Sequence, residues 1–86
     1  MNLILYSKPG CHLCEGLQEK LQQVQSAPHH LQFSLEVRDI TTETAWFNAY
    51  QYEIPVLCLG DQTLPRLSPR ADAHQLAKLL QPYFEG

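Results

Sequence analysis

The sequence predicts an α/β domain whose elements follow in the order strand, helix, strand, helix, strand, strand, helix. Three observations predict it. The apolar run Leu3-Ile4-Leu5-Tyr6 gives way from Leu13 to apolar residues at helical spacing, Leu17, Leu21 and Val24. Further on, Leu31, Phe33, Leu35 and Val37 alternate with Gln32, Ser34, Glu36 and Arg38, the period of a strand with one buried face. The run Ile54-Pro55-Val56-Leu57-Cys58-Leu59 is short and almost wholly apolar and reads as a further strand.

Taken in order, Ser7 to Gly10 form the loop after the first strand, and Pro9 and Gly10 aim the chain into a helix from about His12 to Gln25. Gly16 weakens that helix by about 1 kcal/mol relative to alanine, for which a close approach of another backbone would compensate. Ser26-Ala27-Pro28 ends it, since the residue before a proline avoids the helical region. His29 and His30 then fall in a loop, where paired histidines without an adjacent carboxylate or thiolate read as solvated residues rather than metal ligands. The second strand spans Leu31 to Asp39. Thr41 or Thr42 can cap the next helix, with Glu43 near its positive end and Ala45, Trp46, Ala49 and Tyr50 at helical spacing. The aromatic cluster Trp46, Phe47, Tyr50 and Tyr52 is either packing of that helix on the sheet or a docking surface. Ile54 to Leu59 is the third strand, in which Cys58 reads as a small buried hydrophobe. Gly60-Asp61-Gln62 makes a tight turn, and Thr63 to Arg66 return as an antiparallel strand that Pro65 confines to a sheet edge. The last helix starts at Ser68-Pro69, or at Asp72 with Gln75 completing a capping box. Its stripe is Ala73, Leu76, Ala77 and Leu80, and Pro82 ends it, leaving Tyr83 to Gly86 as a tail.

The totals bound the function. Residues 1–86 suffice for one domain with one compact core, and no repeat or linker divides them. Hydrophobic residues make up 44% and charged residues 17%, far from a disordered composition. With a formal charge of -3 and six scattered basic residues, the chain carries no basic patch, so no nucleic-acid partner is expected. The first apolar run is too short for a signal peptide and no stretch reaches the length of a membrane span, so a cytoplasmic protein with no membrane partner is expected.

The chemistry lies in Lys8-Pro9-Gly10-Cys11-His12-Leu13-Cys14. Cys11 stands at a helix N-terminus, where unpaired N–H groups and the helix dipole favour a thiolate, and Lys8 adds a positive charge. Cys14 is one turn on, on the same face. A thiolate is the nucleophile of disulfide exchange, and a second thiol at that distance can attack the mixed disulfide formed. Two other readings compete. The pair is half of a zinc site, which lacks two ligands because Cys58 is remote and alone. Or it is a structural disulfide, which in so small a loop constrains the unfolded chain little.

The order of elements, the cysteine pair at the first strand-to-helix turn and the Ile-Pro-Val at the third strand resemble the thioredoxin superfamily. Tyr6 to Cys14 is similar to the opening of a glutaredoxin, and Tyr50 to Val56 with the hairpin is similar to the small glutaredoxin-like proteins of bacteria. The resemblance implies a thioredoxin fold with a four-stranded mixed sheet flanked by helices. It implies a thiol-disulfide oxidoreductase with a redox-active CxxC, Cys11 attacking and Cys14 resolving. It further implies a cis Ile54-Pro55 bond beside Cys11, with the N–H and C=O of Ile54 turned toward a substrate that adds as a short strand. Lys8, His12, Ile54 and Pro55 are then the substrate-binding residues. Partners would be protein or small-molecule disulfides, met by a monomer without a bound cofactor. The reductant would be glutathione or a thioredoxin-reductase-type flavoprotein.

Three places depart from glutaredoxins. Ile54 replaces a polar residue, and Arg66-Leu67-Ser68-Pro69-Arg70-Ala71-Asp72 replaces a Gly-Gly-acid stretch whose amides hold the glutathione carboxylate. Arg66 or Arg70 is left to supply a charge there instead. His12 stands where glutaredoxins have proline, and a protonated imidazole there would further favour the Cys11 thiolate. The rival function is a metal or iron-sulfur module in which the same two cysteines from each of two subunits hold the cluster.

Overall fold

The computed structural model describes residues 2–26 and 31–84; His29 and His30 lie outside the described residues. The chain forms β1 (Asn2–Ser7), α1 (His12–Gln25), β2 (Ser34–Asp39), a 3-10 turn (Ile40–Thr42), α2 (Thr44–Tyr50), β3 (Val56–Leu59), β4 (Gln62–Thr63) and α3 (Ala73–Phe84). The four strands make one sheet in the order β2-β1-β3-β4, with β1 parallel to β2 and antiparallel to β3, and β4 antiparallel to β3. This is the mixed sheet that the order of elements implies.

β1 is central, and its alternation splits the core in two. Leu3 and Leu5 point to one face, where they meet Leu21 and Val24 of α1 and Leu76 and Leu80 of α3. Ile4 and Tyr6 point to the other, beside Ile40, Val56 and Cys58, with Trp46, Tyr50 and Ile54 packed over them. Burying each of the leucines removes apolar surface from water for about 1.5–3 kcal/mol, which fixes the register: a slip of one residue would reverse every side chain of β1. On the second face Tyr6 stacks on Tyr50 at 4.3 Å and meets the edge of Trp46 at 5.9 Å. Arg38 donates to the Tyr6 hydroxyl at 3.0 Å and lies over the Trp46 ring, while the Glu36 carboxylate beside it helps hold its guanidinium charged. Burial pushes the Tyr50 phenol above its ordinary value. Half of the aromatic cluster is therefore packing, whereas Phe47 and Tyr52 are exposed.

Several boundaries differ from expectation. Leu31 and Phe33 precede β2 rather than open it, although both pack against the core. Val37 is exposed because β2 is an edge strand. The Asp39 carboxylate, not a threonine, caps the turn after β2 by accepting from the Thr41 amide at 2.9 Å. No side chain caps α2, whose stripe is narrowed to Trp46 and Tyr50 with Ala45 and Ala49 exposed. The hairpin loop is two residues long, Gly60 and Asp61, because Gln62 already pairs with Leu59, and β4 ends at Thr63. Gly60 has φ +60, the left-handed value that such a turn requires. α3 starts after a complete capping box: Gln75 N–H donates to Asp72 Oδ1 and Asp72 N–H to Gln75 Oε1, both at 2.9 Å. It also continues through Pro82 to Phe84. In a last turn the missing N–H forfeits a single hydrogen bond, and Phe84, 5.7 Å from the Phe33 ring, packs on the core.

Candidate active site

Gly10, with φ +82, turns the chain from β1 into α1. The Cys11 amide donates to Lys8 C=O at 3.2 Å, closing that turn, and Cys11 itself is the N-cap of α1 with extended backbone. Its Sγ accepts from the Cys14 amide at 3.2 Å. A cap is normally an oxygen. Here a sulfur takes the place and receives the N–H together with the positive end of the dipole, an arrangement that stabilises negative charge on Cys11 once the pair is reduced. Cys11 and Cys14 stand at disulfide distance, Cα atoms 5.2 Å apart, joined in this structure. Cys11 is half-buried, while Cys14 is only 2% exposed. Cys11 is therefore the more solvent-accessible of the two.

The other predicted site residues are placed unevenly. Pro55 lines a cleft of about 940 Å³ beside the start of α1, and His12 lines it too. The Ile54-Pro55 bond is cis. Ile54 is half-buried over the second face, and its N–H already donates to Tyr50 C=O at 3.1 Å, the last bond of the turn that ends α2. The expectation that both backbone groups of Ile54 are turned toward a substrate therefore fails for its N–H, and Ile54 is not among the residues that line the cleft. Lys8 is exposed, and its carbonyl serves the turn. The His12 side chain is 95% exposed, with Nδ1 3.7 Å from Glu15 Oε2. Its ring therefore meets a carboxylate on the solvent side of α1.

Three amides of the stretch before α3 are taken up locally. The Arg70 amide donates to Ser68 Oγ at 3.3 Å, the Ala71 amide to Ser68 C=O at 2.9 Å, and the Asp72 amide to Gln75 Oε1. Pro69 has no N–H to give. Arg66 donates to Glu53 C=O, bridging the loop before α3 to the one before Pro55. Cys58 is buried, with Sγ 3.8 Å from Thr63 Oγ1, and takes no part in the site. Among the described residues, no group of three or more His, Cys, Asp or Glu side chains is placed to hold a metal ion. No described helix is long and apolar enough to cross a membrane.

What sequence reasoning missed is the extent of the cleft. The apolar stripe of α1 starts at Leu13 and Leu17; Leu17 does pack against the core, but Leu13 is 55% exposed and both line the cleft. No backbone approaches Gly16; a Cβ built there meets nothing within 4 Å.

A mixed sheet with α1 and α3 on one face and α2 on the other, carrying a cysteine pair at the first strand-to-helix turn, defines a glutaredoxin-like protein of the thioredoxin superfamily. Residues 2–81 match the family described as Glutaredoxin-like domain (DUF836), and the chain belongs to that family. Among solved structures it is similar to a structural-genomics target protein from X. campestris, with 26% identity and a TM-score of 0.66 over 93% of this chain and 96% of that one. A mutant thioredoxin from Halobacterium salinarum aligns with 18% identity and a TM-score of 0.67, covering 99% of this chain and 75% of its own. Trxlp from Edwardsiella tarda aligns with 15% identity and a TM-score of 0.60, covering 92% and 80%. The last two show the fold alone.

Proposed function

We propose that the protein is a cytoplasmic thiol-disulfide oxidoreductase that works as a monomer, with Cys11 as the attacking and Cys14 as the resolving thiol. The observation that carries this reading is the sulfur N-cap: Cys11 Sγ accepts the Cys14 amide at the positive end of α1. In the reduced protein the Cys11 thiolate attacks one sulfur of a substrate disulfide, forming a mixed disulfide and expelling the other sulfur as a thiolate. Cys14 then gives up its proton, bonds to Cys11 and expels the second substrate thiolate. The dithiol loses two electrons and the substrate disulfide gains them. Pro55 and His12, which both line the cleft, border the place where the substrate chain lies.

The reductant that restores the dithiol is a thioredoxin-reductase-type flavoprotein rather than glutathione. In support, the Arg70, Ala71 and Asp72 amides are already taken by Ser68 and Gln75, and Pro69 has no N–H to offer a glutathione carboxylate. The decisive experiment is to oxidise the protein and offer each reducing system in turn while following a test disulfide. Reduction by neither system, together with full turnover by Cys11→Ser, would refute the reading.

A further inference from the structure

One face of α1 looks into the cleft with Leu13, Gly16, Leu17 and Lys20, the spacing of a helix stripe. Across from it stand Leu67, Leu76 and Leu79 of the loop before α3 and of α3 itself. The stripe begins in the cleft and ends in the core, where Leu21 and Val24 are fully buried. Apolar walls left open to this extent are characteristic of a ligand site, and the volume of about 940 Å³ lies at the upper end of such sites. Gly16 enlarges it at a position where a side chain would find open space.

The polar groups of the walls have a sign. Lys20 Nζ donates to Pro69 C=O at 3.0 Å and Arg66 donates to Glu53 C=O. Both partners are neutral, and among the described residues neither cation has a carboxylate within ion-pair distance. Both cationic side chains therefore stand beside the apolar cleft without a carboxylate partner among the described residues. The acidic side chain of the lining is Glu53, at the Pro55 end.

We propose that this cleft selects the substrate, and that the substrate is a peptide or protein disulfide whose cysteine is flanked by apolar side chains and an acidic residue. The proposal rests on the thiol-disulfide reading above. Spaced apolar contacts interrupted by two separate cations suit side chains set along a polypeptide, and glutathione has no apolar side chain to place there. In the mixed disulfide, the flanking leucine-like side chains lie between α1 and α3 while their cysteine sulfur is bonded to Cys11. Cys14 then releases the peptide as its thiolate.

The test uses a synthetic peptide bearing two leucines and a glutamate around one cysteine, joined by a disulfide to thionitrobenzoate, and a twin with serines for leucines. Attack by the reduced protein on the peptide sulfur releases coloured thionitrobenzoate. The leucine peptide is expected to react at least tenfold faster than its twin, a difference of about 1.4 kcal/mol. Gly16→Leu is expected to bring that ratio toward one, and glutamine for glutamate in the peptide to slow the wild-type reaction about threefold. Amide chemical-shift mapping of the intact wild-type protein with a leucine peptide carrying serine for cysteine keeps the test open should Gly16→Leu fail to fold. Shifts at Leu17, Lys20 and Leu79 are expected. Equal rates for the two peptides, or shifts confined elsewhere, would overturn the cleft assignment while leaving the redox reading intact. Absence of thionitrobenzoate release from either peptide, with cleft shifts present, would sink the redox reading instead.

Discussion

Replacing Gly16 with alanine is expected to stabilise the protein, and the size of the effect follows from three features of the site. Gly16 lies inside α1, so the intrinsic preference of a helix interior for alanine applies in full, about 0.8–1 kcal/mol. Its backbone is not in the left-handed region, unlike Gly10 and Gly60, so a Cβ adds no strain. A built Cβ meets nothing within 4 Å, so no collision offsets the gain. For a domain of this length 1 kcal/mol moves the melting temperature by roughly 4–8 °C, which puts the expected rise at about 3–8 °C. Thermal unfolding followed by circular dichroism, on oxidised and on reduced protein, measures it. An unchanged or lower melting temperature would mean that the methyl group meets a wall. The cleft would then be closed at Gly16, and the substrate argument built on its openness would fall with the helix argument.

Cys14→Ser is expected to leave Cys11 able to attack but unable to be released, so a mixed disulfide accumulates with one substrate half per protein, visible by mass spectrometry. Cys11→Ser should abolish turnover. The thiolate absorbance of reduced Cys14→Ser protein should titrate below the free-thiol value of about 8.5, because the Cys14-position amide and the helix end still face Cys11; a midpoint at or above that value would remove the first step of the mechanism. Asp72→Ala removes one half of the capping box and should destabilise the protein by about 1 kcal/mol in denaturant titration. Thr41, through its hydroxyl and its amide, holds the Asp39 carboxyl below its ordinary value of 3.8. A lowered folded value means that the associated stability is present above 3.8 and is lost as pH falls through the lower folded value. Asp39→Asn should therefore flatten the acid limb of stability measured between roughly pH 5 and pH 2.

Local signals carried most of the fold. The bounds of α1, His12–Gln25, follow from a switch of apolar period at one end and a proline beyond the other, and the Asp72–Gln75 box marks α3 by side chains that bond their own neighbours. Where the outcome depended on distant contacts, sequence reasoning erred. Pro82 reads as a stop, but Phe84 has Phe33 to pack against across the core. Alternation reads the strand of Val37 as lying near a sheet edge, which the strand order bears out, but also reads Val37 as buried, and Val37 is exposed. The Ile54 amide reads as available to a substrate, but the end of α2 takes it.

The cleft was hidden for a deeper reason. Leu13 and Leu17 are apolar whether or not a second wall closes over them, and a pattern of residues records only the first of these facts. Closure depends on the loop between β4 and α3. That loop is fixed from two sides, by Lys20 reaching Pro69 C=O from α1 and by Arg66 reaching Glu53 C=O before Pro55. Both contacts join parts of the chain remote in sequence, so neither leaves a local trace. On the function proposed above, α1 would have two tasks separable by mutation. Its N-terminus would set how readily Cys11 becomes a thiolate, read out in the pH dependence of attack on any disulfide. Its cleft-facing side would select which disulfide arrives, read out in the ratio between substrates at one pH. A Lys20→Gln variant should shift the second and leave the first where it was, since Lys20 lies two turns beyond the sulfur; a change in the pH midpoint instead would mean that charge in the cleft and charge on Cys11 act as one.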